Sequence, residues 1–127
     1  NLVFVRDLLR RAHGATVRLM LAAHHYRESW QYEDEELAIA ETRRVAFGRA
    51  MGAGSAVDAD EARALRREFL QRIDDDLDTA GALRVIDLAA TALAHSRLAA
   101  GADTIAGETL LGGMLDVIGA RVTSPVA

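Results

Sequence analysis

The sequence predicts an all-α fold: an antiparallel bundle of five or six helices, built as a single domain over residues 1–127. Three observations carry that reading. Apolar residues recur every three or four positions through most of the chain, which is the period of a helix face. Half of the residues are apolar but only 5% are aromatic, and Val and Ile are sparse, so strand-forming residues are thin. Gly- and Asp-rich breaks divide the periodic stretches at helix-length intervals. A chain of 127 residues can bury a core of its own but is too short for a nucleotide-binding fold with accessories.

The first helix is expected over residues 3–12, with Val5, Leu8 and Leu9 on one side and Arg6, Arg10 and Arg11 on the other. Gly14 reads as its C-terminal stop, and Thr16 as a residue that helps start the next helix. That second helix, about 15–27, is apolar almost all round until His24 and so is the expected centre of the domain. Acids at Glu33 to Glu36 favour the start of a third helix, because the macrodipole is positive there. It should run to about Met51, with Leu37, Ala40, Phe47 and Met51 in one stripe.

Gly52 to Ala56 reads as a flexible link, and no segment reads as a strand. Asp58 is a good N-cap for a fourth helix, with Glu61 three residues on. Its stripe is Ala62, Leu65, Phe69 and Ile73. Thr79 is the expected cap of a fifth helix over about 80–99, and Asp103 or Thr104 that of a sixth over about 104–119. Gly112-Gly113 in mid-helix costs roughly 1 kcal/mol per Gly, and a close helix crossing would explain the pair. Pro125 belongs to a tail expected to be loose. Leu19, Leu21, Leu37, Phe69, Leu83, Ile86 and Leu115 form the expected core.

Composition excludes several functions. The net charge is −4 with acids and bases interspersed, which argues against broad binding to a phosphate backbone. All 15 basic residues are Arg, as a GC-rich genome would produce. The absence of Cys removes disulfides and a thiolate zinc site from this chain. No apolar run reaches the ~20 residues that span a bilayer, and no signal peptide is visible. A cytoplasmic protein with no membrane partner is expected. The first residue is Asn rather than Met, so the chain is expected to begin inside a larger gene product.

The densest chemistry lies at the end of the second helix, where His24, His25, Tyr26, Trp30 and Tyr32 gather with Arg27. Neighbouring residues on a helix lie ~100° apart, so His24 and His25 cannot readily share one metal ion. Of the residues four away from them, Met20, Leu21, Glu28 and Ser29, only Glu28 beside His24 could serve as a second ligand, and capping or aromatic packing is the expected role of the histidines. Arg27, beside Tyr26 and Trp30, can brace the helix end or touch a substrate. Asp74-Asp75-x-x-Asp78 fits a magnesium–diphosphate pattern, but such sites need a wider helical cavity and a second metal motif. A polar corner between helices is the expected use. Ser29, Ser55, Ser96 and Ser124 sit in no nucleophile pattern, and Gly52-Ala-Gly lacks the Lys and strand of a phosphate loop.

Leu19-Met-Leu-Ala-Ala-His-His-Tyr-Arg27 followed by Trp30 resembles the segment just beyond the KMSKS loop of the cysteine-activating class I ligases. The opening Asn1-Leu-Val-Phe-Val-Arg-Asp-Leu-Leu9 resembles the helix after that loop, and Asp74-Asp-Asp-Leu-Asp-Thr79 their later acidic motif. The family contains cysteinyl-tRNA synthetase and the shorter mycothiol ligase, which joins cysteine to glucosaminyl-inositol. The resemblance implies a helical region that supports the KMSKS loop and packs on a Rossmann-type catalytic domain absent from this chain. It implies ATP and zinc for the full-length enzyme, which makes cysteinyl-adenylate with release of AMP.

The resemblance places no catalytic, cofactor-binding or metal-ligating residue here. Asn1 matches the Asn adjoining KMSKS, while the KMSKS and HIGH motifs and every zinc ligand are missing, so this chain alone is expected to be inactive. His25, Tyr26, Arg27 and Trp30 are the candidates for an interface or a substrate-proximal site. The spacing of His24-His25-Tyr-Arg-x-x-Trp30-x-Tyr32 is closer to the mycothiol ligase, whose acceptor is glucosaminyl-inositol. The same region of the synthetase, with tRNA as acceptor, is the second reading. A free-standing helical interaction module is the third.

Overall fold

The computed structural model describes residues 2–123. Asn1, Ser124 and the Pro125 tail lie outside the described residues. Six helices make up most of the fold: α1 (Val5–Leu8), α2 (Gly14–Ala22), α3 (Asp34–Ala50), α4 (Ala59–Asp74), α5 (Thr79–Ala94) and α6 (Gly107–Val117). The expected helical bundle is the fold observed. One feature was not expected. Strand β1 (Ala56–Asp58) pairs antiparallel with β2 (Thr104–Ala106), with Val57 opposite Ile105.

The ribbon begins at Ala56, the last residue of the predicted link, and takes the place of the predicted first turn of the sixth helix. Its three-residue strands are too short to show an alternating pattern, which is why the sequence hides them. Val57 is fully buried, so the ribbon closes one end of the core. Gly54, at φ +81°, turns the chain into it.

The centre of the domain is α5, not α2 as expected. It packs against α2, α3, α4 and α6. Leu83, Val85, Ile86 and Leu93 fill the core, while the small Gly81, Ala82, Ala89 and Ala90 are buried at the same helix. Small side chains let neighbouring helices approach closely, a property that a hydrophobicity pattern does not register. Around α5 stand Leu19 and Met20 of α2, Phe47 of α3, Phe69 of α4 and Leu111 and Leu115 of α6, all buried.

Six of the seven expected core residues are buried; Leu21 is not, at 48% exposure. α2 stops at Ala22 rather than near residue 27, so Leu21 lies in the final turn, on the side away from Leu19 and Met20. The first helix shrinks to Val5–Leu8 followed by turns, because Phe4 is extended and no side chain caps the helix. Only Leu8 of its expected face is buried, and Val5 and Leu9 stay exposed. Gly14 begins α2 instead of ending α1.

The other helix ends follow local chemistry. Asp58 caps α4 as expected, accepting from the N–H groups of Asp60 at 2.9 Å and Glu61 at 3.4 Å. Asp78, not Thr79, caps α5, accepting from Gly81 N–H at 2.8 Å. α5 ends at Ala94, short of residue 99, and α6 starts at Gly107 with no side-chain cap.

No close crossing occurs at Gly112-Gly113. A Cβ on Gly112 would make ordinary contact with Arg121, and one on Gly113 would meet nothing within 4 Å. The close approach is at Gly107, where a Cβ would lie 2.8 Å from the Ala50 carbonyl oxygen and 3.1 Å from Leu93 Cδ2. Thermal denaturation should separate the two sites. Gly113→Ala is expected to raise stability by about 0.5–1 kcal/mol through helix propensity. Gly107→Ala is expected to lower it by about 1–3 kcal/mol through overpacking.

Candidate functional site

The distinctive polar corner is built from two connections, residues 23–33 between α2 and α3 and residues 75–78 between α4 and α5. The first leaves the helix at Ala23 because its side chains satisfy the backbone locally. His25 Nδ1 accepts from Arg27 N–H at 3.2 Å, and His24 N–H reaches back to the Leu21 carbonyl at 3.2 Å. The second contains Asp76 at φ 52° and Leu77 at φ 54°. Two successive non-Gly residues in the left-handed region cost roughly 1–2 kcal/mol each, and such backbone persists only where its surroundings hold it.

Asp76 is what the surroundings hold. Its carboxylate accepts from the Tyr26 hydroxyl at 2.5 Å and pairs with Arg27 Nε at 2.9 Å. Its carbonyl lies 3.1 Å from His25 Nε2. Arg27 Nε also donates to the Tyr26 oxygen at 2.9 Å, and its guanidinium lies over the Tyr26 ring at 5.5 Å from the centroid. Three of the four candidate residues, His25, Tyr26 and Arg27, therefore converge on one residue of the acidic run, the first on its carbonyl and the other two on its carboxylate. The hydrogen bond to Asp76 pushes the Tyr26 phenol above its ordinary value.

Trp30 belongs to a second group. Its indole stacks flat on His24, with ring centroids 3.9 Å apart and planes 1° from parallel. His24 Nε2 lies 2.9 Å from Glu36 Oε2 on α3. Glu36, not the neighbouring Glu28, is thus the partner of His24. The far end of the loop is held by Arg11, whose guanidinium reaches the Tyr32 hydroxyl at 2.7 Å and Asp34 at 3.0 Å. Hydrogen bonds from Tyr32 and Arg11 hold the Asp34 carboxyl below its ordinary range.

The sequence picked out both halves of this corner but not their pairing. The Asp76 partners lie 49–51 residues away, beyond the reach of any local pattern. Asp76 was missed as a site residue for that reason, and Glu36 and Asp34 because the acids at 33–36 read as the start of a helix. The acidic run itself behaves as expected of a polar corner: Asp78 caps a helix and Asp76 pairs with side chains. Among the described residues, no three His, Cys, Asp or Glu side chains gather in a way that could hold a metal ion.

Between the two connections runs a groove of about 530 Å³. Leu21, Ile73, Leu77 and Ile118 supply apolar walls, His24, Tyr26 and Trp30 aromatic ones, and Arg18 and Glu28 charge. Tyr26 and Leu77 remain 60% and 55% exposed. Leu2, Val3, Phe4, Val5 and Leu9 expose a further apolar surface at the N-terminal arm. An exposed apolar surface is the kind of face by which a small domain can dock on another body. Chemically, the corner can bind and position. It has no nucleophile–base pair.

A half-buried hydrogen bond between α2 and α3 gives a pH-dependent term. The fully buried Thr16 donates to Glu41 Oε2 at 2.6 Å, and Arg44 grips the same carboxylate. Arg44 first, then Thr16, lower the Glu41 pKa from 4.5 to about 2. A depressed carboxyl contributes stability that is present above pH 4.5 and is lost as the pH falls toward 2. Glu41→Gln should therefore flatten the acid limb of a stability–pH curve in that window. An unchanged limb would show that the Arg44 and Thr16 contacts contribute nothing.

No protein-family model matches the chain. Among curated proteins, it is 41% identical over 87 residues to the L-cysteine:1D-myo-inositol 2-amino-2-deoxy-alpha-D-glucopyranoside ligase of Streptosporangium roseum, which covers 68% of this chain and 21% of that protein. The ligase of the same name from Beutenbergia cavernae is 40% identical over 114 residues, 87% of this chain and 25% of the relative. That of Nocardiopsis dassonvillei is 38% identical over 117 residues, 88% and 28%. The matched part thus spans between a fifth and three tenths of these relatives' length. No described helix is long and apolar enough to cross a membrane. By its similarity over most of its residues, the chain is a region of the cysteine-activating ligase family.

Proposed function

We propose that this chain is the helical region of an ATP-dependent ligase that couples cysteine to glucosaminyl-inositol in mycothiol biosynthesis. The observation that carries the reading is the identity of about 40% to ligases of that name. The ATP site and the zinc ion belong to the remainder of the ligase in this reading. The chain has no Cys, and its described acids and imidazoles gather in no group of three that could hold a metal ion, so no zinc ligand is assigned to it.

The role of the chain is mechanical. Asn1 adjoins the KMSKS loop, and the bundle gives that loop a fixed base beside the catalytic domain. The exposed arm of Val3, Phe4 and Val5 and the corner bearing His25, Tyr26, Arg27 and Trp30 form the docking seam. Aromatic and Arg side chains are the residue types that dominate interface energetics. Locked contacts to Asp76 and His24 hold them in place before docking, which lowers the entropy lost on association. The whole ligase works in the cytoplasm on small-molecule substrates.

Cysteine-dependent ATP–pyrophosphate exchange tests the reading. The full-length protein is expected to exchange, and to form product with glucosaminyl-inositol but not with tRNA. The 127-residue chain alone is expected to stay at background. Charging of tRNA by the full-length protein would replace this reading with the synthetase. Exchange by the isolated chain would refute the mechanical role.

A further inference from the structure

Between α3 and α5 lies a second cavity, of about 450 Å³, which shares no lining residue with the groove at the polar corner. Its volume falls within the roughly 300–1,000 Å³ of small-molecule sites. Phe47, Ala50, Ala90 and Leu93 form an apolar floor, and Arg49, Ser55, Asp87 and His95 stand on the wall. Ser55 Oγ is buried and has no hydrogen-bond partner, the only side-chain atom in that state among the described residues. Gly107 N–H donates to the Ser55 carbonyl at 2.8 Å, and a Cβ on Gly107 would collide with the Oγ. The fold thus keeps space for a hydroxyl that no protein group satisfies. A buried polar group without a partner is costly, so this one asks for a ligand.

The charges on the wall decide the ligand class. Asp87 is already neutralised by Arg43, whose Nε and Nη2 reach its carboxylate at 3.2 and 2.9 Å. Arg49 forms no ion pair among the described residues. His95 Nδ1 lies 2.9 Å from the Thr91 carbonyl, which can only accept, so Nδ1 carries the hydrogen and Nε2 stays uncommitted. The charge on the wall without a counter-ion is therefore a planar guanidinium, the group that pairs bidentately with a carboxylate. A phosphate dianion is disfavoured, because Asp87 shares the wall and the floor is apolar. We infer that this pocket binds a small organic carboxylate with a short apolar body. The carboxylate pairs with Arg49 and accepts from the Ser55 hydroxyl, while the body covers the apolar floor. Neither the ligase reading nor the docking seam is needed for this site, which uses other residues.

Isovalerate is the probe, with isovaleramide, isobutylammonium and inorganic phosphate as comparisons. Titrated into the 127-residue chain, isovalerate is expected to shift the backbone amide resonances of Arg49, Ser55 and His95 saturably. The indole N–H of Trp30, the sole tryptophan, lies outside the pocket and should not move. The three comparison compounds are each expected to bind at least about tenfold more weakly, the size of one charged hydrogen bond. Arg49→Gln, at an exposed position, is expected to cut isovalerate affinity about tenfold and to remove its advantage over isovaleramide. Ser55→Ala is expected to raise the melting temperature of the free chain, by removing the unpartnered hydroxyl, and yet to weaken isovalerate binding about tenfold. No saturable shift at these residues, equal affinity for isovalerate and isovaleramide, or unchanged affinity in either variant overturns the site.

Discussion

Phe69→Ala is expected to lower the unfolding free energy by about 3–5 kcal/mol, the usual cost of emptying a fully buried aromatic site. Phe69 sits on α4 at 1% exposure, within a core centred on α5. Its neighbours are held on several sides by other helices, so the cavity cannot collapse freely and the cost should fall high in that range. Urea denaturation followed by helical circular dichroism measures it, as a lower midpoint at constant slope. Leu21→Ala is the matched control. Leu21 is half exposed in the groove, and its truncation is expected to cost less than about 1 kcal/mol. Equal losses at the two positions would contradict the assignment of the core.

The helical architecture was legible because its signal is local. Leu37, Ala40 and Phe47 on α3 and Met51 just after it are buried as their spacing requires; on α4 Ala62 and Phe69 are buried, while Leu65 and Ile73 of the same stripe are half-buried. The Asp58 cap was legible for the same reason, since a cap needs only the next three residues. Helix ends governed by distant partners were not. α2 stops at Ala22, where Thr79 Oγ1 bonds the His24 carbonyl at 3.4 Å and Trp30 closes on the His24 ring. α5 begins with Asp78 as cap, in a corner whose backbone is left-handed at Asp76 and Leu77. Neither residue type announces that conformation.

The candidate site was half legible. Its aromatic and imidazole cluster is visible as a departure from an Ala-, Leu- and Arg-rich background, and so is the acidic run. Their convergence on Asp76 depends on how α4 and α5 pack, which no spacing within either stretch encodes. The Gly112-Gly113 pair misled for the opposite reason. It looked like a crossing, whereas the residue that needs the space is Gly107, next to a strand too short to be seen.

Trp30→Ala in the full-length ligase is the direct test of the account's central claim, that this corner docks on the catalytic domain and supports adenylate formation. Truncating an aromatic anchor at an interface costs about 2 kcal/mol or more, and 1.4 kcal/mol is tenfold in an equilibrium or rate constant. Cysteine-dependent ATP–pyrophosphate exchange is therefore expected to fall about tenfold or more. The melting temperature of the isolated bundle should stay nearly unchanged, because Trp30 is 37% exposed and lies outside the buried core. Trp30→Phe, which keeps a ring to stack on His24, should recover most of the exchange. Full exchange by Trp30→Ala would place the seam elsewhere and leave the corner with a purely structural role.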